Sequence, residues 1–171
     1  MKIIAGKYKN HHIKTYARAA YRPTSARVRK SIFDILQNLQ GARVLDLFAG
    51  SGMLGFEAAS RGAKEITFVE FDQYAIQFIK TNAALLMDTH FSIFKKNVFT
   101  YLQFSGEYDY IFADPPYEKI DLEKLIDLCR QRIVPQGLFI LESSRRDKLP
   151  SGMTRKKVYG DTVISFWESN K

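Results

Sequence analysis

Apolar positions along this chain follow two rhythms. Val28, Ile32, Ile35, Leu36 and Leu39 return at three- and four-residue intervals, the spacing of one helix face. Arg22-Pro23-Thr24-Ser25 precedes them, and Thr24 or Ser25 can cap the first turn. Gly41 closes that helix. Downstream, largely apolar runs at 43–48, 65–70, 91–95, 108–114 and 137–142 predict buried strands. Helical stretches at 54–61, 73–86, 99–102 and 122–133 stand between them. Repeated strand–helix units predict an α/β fold, a mostly parallel Rossmann-like sheet with ligands beyond the C-terminal ends of its strands. Runs at 156–159 and 162–167 flank Gly160-Asp161, a hairpin signal that adds an antiparallel final strand. Residues 2–5 and 11–16, around Gly6-Lys7 and Asn10, predict a small N-terminal β-hairpin.

Length and charge refine this picture. A chain of 171 residues forms one domain that buries roughly 70% of its unfolded surface. Its apolar runs fall well short of the roughly 18 residues a membrane span needs, and Met1-Lys2-Ile3-Ile4-Ala5-Gly6 has no signal-peptide core. The single cysteine, Cys129, lies among helical apolar positions, so no internal disulfide forms and a reducing, cytoplasmic setting is expected. The net charge of +8 is placed unevenly. Nine bases precede the first acid, Asp34, leaving seventeen bases against eighteen acids in the remainder. A scattered basic face would mean little, but an acid-free stretch of this length reads as a footprint for phosphates. The chain is thereby divided into a basic, phosphate-contacting extension, 1–41, and a core, 42–171.

Two motifs carry chemistry. Asp46-Leu47-Phe48-Ala49-Gly50-Ser51-Gly52 stands at the first strand-to-helix junction, and Gly50, Gly52 and Gly55 satisfy the dinucleotide pattern. Glu70 follows Gly50 by 20 residues, at the end of the next strand, where a carboxylate can take both ribose hydroxyls. Asp46, just ahead of the glycines, suits the ammonium of a methionine moiety better than a pyrophosphate. S-adenosylmethionine is therefore preferred over NAD, which would also need a substrate domain the remaining 57 residues do not supply. The second motif, Asp114-Pro115-Pro116-Tyr117, ends an apolar strand in two residues that cannot continue a ladder. Asp114 and the Pro115 carbonyl give two acceptors beside the Tyr117 ring, a set suited to a planar base bearing an amino group. Such motifs are found in enzymes that methylate exocyclic amines.

Together these segments resemble the RsmD-type rRNA methyltransferases, which modify guanine N2 in small-subunit (16S) rRNA. The resemblance rests on Ile3-Ile4-Ala5-Gly6-Lys7-Tyr8-Lys9, Arg22-Pro23-Thr24-Ser25-Ala26-Arg27-Val28-Arg29, the glycine loop, Asp114-Pro115-Pro116-Tyr117 and Tyr159-Gly160-Asp161-Thr162. It implies a class I S-adenosylmethionine-dependent fold in which Asp46, Gly50 and Gly52 line the methionine end of the cofactor and Phe48 and Ser51 also contact the cofactor. Glu70 holds the ribose, Phe71 packs on the adenine, Asn97 accepts from the adenine amino group, and Asp114 closes the site. Asp114, Pro115 and Tyr117 are the implied catalytic residues. Lys7, Lys9, Arg22, Arg27 and Arg29 are the RNA contacts.

The implied partner is 16S rRNA within a small-subunit assembly particle, bound by a monomer with no metal. Asn10-His11-His12 departs from the Gly/Arg-rich turn common in the family, and both histidines read as exposed loop residues. Three other readings stand beside this one. An N6-adenine methyltransferase shares the Asp-Pro-Pro-Tyr device but needs a larger reading module when its substrate is DNA. Cytosine-C5 chemistry needs a cysteine nucleophile, and Cys129 lies away from the motifs. A non-catalytic ribosome-assembly factor would not need an intact motif. The two acceptors alone do not distinguish the amino group of guanine from that of adenine.

Overall fold

The computed structural model describes residues 1–15, 25–36, 38–116 and 120–169. Helix α1 (Ala26–Ile35) begins where Ser25 caps it, its side chain accepting from the Val28 amide. Five parallel strands follow: β1 (Arg43–Leu47), β2 (Glu65–Glu70), β3 (His90–Lys95), β4 (Tyr108–Ala113) and β5 (Ile133–Ser144). Helices α2 (Met53–Ser60), α3 (Gln73–Ala83), α4 (Val98–Phe104) and α5 (Leu122–Gln131) connect them. The hairpin β6 (Arg155–Tyr159) and β7 (Thr162–Glu168) closes the sheet in the order β3-β2-β1-β4-β5-β7-β6, with β7 antiparallel to both neighbours. This is the mixed α/β sheet expected from the sequence. Strand order reverses between β1 and β4, so the crevice for a ligand opens at their C-terminal ends.

Strand β5 is longer than the apolar run that predicts it. Ile133 already pairs with Tyr108, and the register then shifts before Tyr110 meets Leu138. Pro135, Gln136 at φ 67° and Gly137 form the irregularity, as expected for residues that cannot hold an even ladder. Helix α5 accordingly stops at Gln131. Each face of the sheet carries an apolar layer. Val44, Ile66, Phe68, Phe112, Ile140 and Phe166 pack under α1 and α2. Leu45, Val69, Ile111, Phe139, Leu141 and Trp167 pack under α4 and α5. Cys129 is buried in the second layer, and burial pushes its thiol well above the usual range, as befits a small core residue.

The N-terminal segment is joined to this core. Ile3 and Ile13 are buried in the same cluster as Phe56 and Val44. Among the described residues the expected hairpin is reduced to a short pairing, the bridge Lys2 to His12 with the Ile3 amide donating to the His11 carbonyl at 3.1 Å and the Ile13 amide to the Met1 carbonyl at 2.8 Å. The reason lies in where the amides go. Those of Ile4 and Ala5 donate to the Glu57 carboxylate at 2.8 and 3.1 Å, and that of Lys7 to the Ser60 carbonyl at 2.8 Å. Gly6, at φ 85°, allows this approach; a Cβ there would lie 1.9 Å from the Ser60 carbonyl oxygen.

Arg29 departs from its expected role. It is 3% exposed, its guanidinium donates to the Lys2 carbonyl at 2.9 Å and lies 3.7 Å from Glu57. The sequence places it among the phosphate-binding bases, but the fold makes it an internal tie between α1, α2 and the N-terminal strand. Helical spacing explains the difference: Val28, Arg29, Ile32 and Phe33 form the inward stripe of α1, whereas Arg27 and Lys30 face outward.

Candidate active site

The glycine loop leaves β1 with an abrupt change of direction. Phe48 at φ 54°, Gly50 at φ 52° and Gly52 at φ 73° all occupy left-handed backbone. For Phe48 this is an uncommon conformation, and such strain clusters at functional sites. Asp46, 2% exposed, accepts the Gly55 amide on Oδ2 at 2.9 Å and so fixes the start of α2 against the loop. Burial pushes its carboxyl up to about 8; the Gly55 amide opposes this and the nearby Glu70 charge adds to it. Gly55 itself serves packing, because a Cβ there would meet the Phe68 ring at 2.3 Å.

Glu70 ends β2 beside the same loop. Its Oε2 accepts the Gly50 amide at 2.7 Å, and its Oε1 accepts the amides of Phe71 and Asp72 at 2.6 and 2.8 Å. Three of the roughly four lone-pair sites of the ionised carboxylate are thereby taken, two of them on Oε1, and Oε2 keeps one for a further donor. Phe71 is 71% exposed next to it, an apolar surface without a covering. Asn97 stands after β3 and caps α4, its Oδ1 accepting from Phe99 at 2.9 Å and Thr100 at 3.3 Å. The carbonyl oxygen expected to meet an adenine amino group is therefore already committed to the helix.

Across the switch point, β4 ends at Ala113, paired with Leu47 on one side and Leu141 on the other. Asp114 follows half-buried, Pro115 is buried and Pro116 exposed. Tyr117 and Arg22 lie outside the described residues. One cavity adjoins this strand end, and a second shares Glu142 with it. The smaller is lined by Pro115, Pro116, Ile120 and Glu142 among others. The larger, of about 360 Å³, lies between the start of α1 and the β6–β7 turn. Tyr159 and Thr162 pair across that turn, Gly160 at φ 62° makes it, and the Tyr159 hydroxyl is hydrogen-bonded to Ser31 of α1.

The family described as Conserved hypothetical protein 95 matches residues 1–168. Ribosomal RNA small subunit methyltransferase D of Escherichia coli (strain K12) is 30% identical over 177 residues, covering 98% of this chain and 89% of that protein. The chain belongs to the RsmD-type methyltransferase family. YlbH of Bacillus subtilis (strain 168) is 35% identical over 181 residues, covering 98% of both chains. The solved structure of yhhF from Escherichia coli matches with a TM-score of 0.87 at 30% identity, covering 99% of each chain. The RsmD-type fold is that of the class I methyltransferases, as the sheet order indicates.

In this RsmD-type chain, segments distant in sequence converge. Ser25, Arg27 and Val28 from one signature and Tyr159, Gly160 and Thr162 from another line the larger cavity. Two residues of the site were not singled out from the sequence. Glu57 is one; its signal was a lone acid in the otherwise uncharged helix Met53–Ser60, a type almost never fully buried unless paired. Glu142 is the other, visible in the sequence only as the last residue of an apolar run.

Proposed function

We propose that this protein methylates the exocyclic N2 of a specific guanine in small-subunit (16S) rRNA, with S-adenosylmethionine as methyl donor. The observation that carries the reading is the meeting of Asp114-Pro115 with the Asp46–Gly52 loop at the β1/β4 switch point. The methyltransferase D relative supplies the substrate class by its name.

The donor set fits the cofactor. Asp46 takes the ammonium, Glu70 the ribose hydroxyls and Phe71 an adenine face, while Phe48, Gly50, Ser51 and Gly52 bring the backbone close. Asn97 contributes through its amide nitrogen or neighbouring backbone rather than its capping oxygen. No basic residue stands between positions 46 and 55 to meet a pyrophosphate. When bound, S-adenosylmethionine supplies a sulfonium-activated methyl group, so no metal is needed for leaving-group chemistry.

The chain's own residues supply the rest. The guanine amino nitrogen is a poor nucleophile because its lone pair is delocalised into the ring. Asp114 and the Pro115 carbonyl accept its two hydrogens and favour the pyramidal nitrogen that develops during attack, a preference exerted in the transition state. The prolines hold both acceptors rigid, which preserves in-line geometry. Tyr117 stacks the base after it leaves its helix or loop, a contact worth about 1–3 kcal/mol. Lys7, Lys9, Arg22 and Arg27 engage phosphates, a recognition by shape and charge suited to structured RNA or an assembly particle.

Asp114→Ala is expected to lower the rate of methyl transfer to small-subunit rRNA by about 100- to 1,000-fold. Cofactor affinity should persist when measured by calorimetry. Normal single-turnover rates in that variant would refute the assignment.

A further inference from the structure

The acceptors Asp114 and Pro115 suit any exocyclic amine, so guanine must be distinguished elsewhere. We propose that Glu142 is the residue that selects guanine, its carboxylate accepting the ring N1–H that neighbours the reacting amine. This rests on the methyl-transfer reading above and adds its base specificity.

Position is the first support. Ala113 of β4 pairs with Leu141 of β5, so Asp114 and Glu142 are the next residues on adjacent strands. Neighbouring strands run about 5 Å apart, and side chains from such positions can converge on adjacent atoms of one base edge. Glu142 lines the small cavity with Pro115 and Pro116 and also the 360 Å³ cavity with Ser25, Arg27 and Tyr159. It is the residue common to both linings and is 7% exposed. The larger volume falls in the range of small-molecule pockets, about 300–1,000 Å³.

Chemistry is the second support. In guanine, the N2 amine is flanked by N1, which carries a hydrogen, and by N3, an acceptor, so the proposed contact lies on the N1 side. In adenine the amine is flanked by N1 and N7, both acceptors, and in cytosine by the N3 acceptor. A carboxylate beside the amine site therefore complements guanine and repels a base that presents a lone pair there. Buried hydrogen-bonding groups discriminate strongly because the wrong ligand leaves them unpaired. A merely structural Glu142, serving as counter-charge to the start of α1, would hold the fold without reading the base.

The test compares two bases that carry the same reactive amine. After the wild type has been used to map its target, that position is rebuilt in small-subunit rRNA as guanine or as 2,6-diaminopurine. The latter keeps the C2 amine but has a bare N1. Wild type is expected to prefer guanine by more than about 100-fold in kcat/KM. In Glu142→Gln the preference should fall to within about tenfold, because a glutamine amide can donate to the bare N1. The ratio is taken on one enzyme preparation, so partial misfolding cancels, and calorimetry with S-adenosylmethionine checks the cofactor site separately. A preference equal in the two enzymes overturns the role of Glu142 while leaving the methyltransferase reading intact. If the wild type makes N6-methyladenine, or no N2-methylguanosine, both fall.

Discussion

Burial raises the Asp46 carboxyl from an ordinary 3.8 to about 8, so the binding of an ammonium beside it would be coupled to protons. Between those values the folded protein holds a proton that the unfolded chain has released. This group therefore makes the cofactor-free protein less stable as pH rises from about 4 to about 8. An ammonium placed against Asp46 demands the ionised form. Binding S-adenosylmethionine at pH 6.5 should accordingly release close to one proton, seen as a dependence of calorimetric heat on buffer ionisation enthalpy. Asp46→Asn should abolish the release, weaken binding, and flatten the loss of thermal stability between about pH 4 and pH 8. Binding heats independent of buffer in the wild type would mean that Asp46 does not face the ammonium.

At the scale of elements, the N-terminal strand and α1 depend on charges inside the protein. Glu57 is fully buried and accepts the amides of Ile4 and Ala5 while pairing with Arg61 at 2.9 Å and Arg29 at 3.7 Å. Glu57→Gln leaves Arg29 buried without its carboxylate and should cost about 3–5 kcal/mol in denaturant unfolding. Gly6→Ala should also destabilise, because the new Cβ meets backbone rather than a movable side chain; a melting temperature equal to wild type would contradict the docking. The sheet was legible because strands such as 65–70 and 108–113 concentrate β-branched and aromatic residues in short runs, and their burial enforces that state. The glycine turn after β1 was legible because the left-handed backbone at Gly50 and Gly52 suits glycine above other residues. The interior role of Arg29 was not, since a charge on the inward stripe of α1 looks like any basic residue until its partner, 28 positions later, is in place. Nor was the cap role of Asn97 legible, because one Asn serves a helix start or a ligand equally well. Glu142 needed the β4–β5 register before it acquired a neighbour.

Across the whole molecule, the excess positive charge belongs to the N-terminal segment, and the structure sorts its members. Lys7 and Lys9 are exposed, Lys7 lying 3.5 Å from a 75% exposed Asp88, a surface pair of little strength. Arg27 is exposed at the rim of the cavity that Glu142 lines. Replacing Lys7, Lys9 and Arg27 with alanine should weaken binding to small-subunit rRNA. It should also reduce the slope of log affinity against log salt by about two to three, with cofactor affinity unchanged. An unaltered salt slope would place the RNA on another face. The central claim, guanine N2 of small-subunit rRNA as the methyl acceptor, is tested most directly by nucleoside mass spectrometry. The protein and isotopically labelled S-adenosylmethionine are incubated with unmodified small-subunit particles, free rRNA and duplex DNA. Labelled N2-methylguanosine from rRNA or particles is the result expected; labelled N6-methyladenine, or no labelled nucleoside with the cofactor bound, would contradict it.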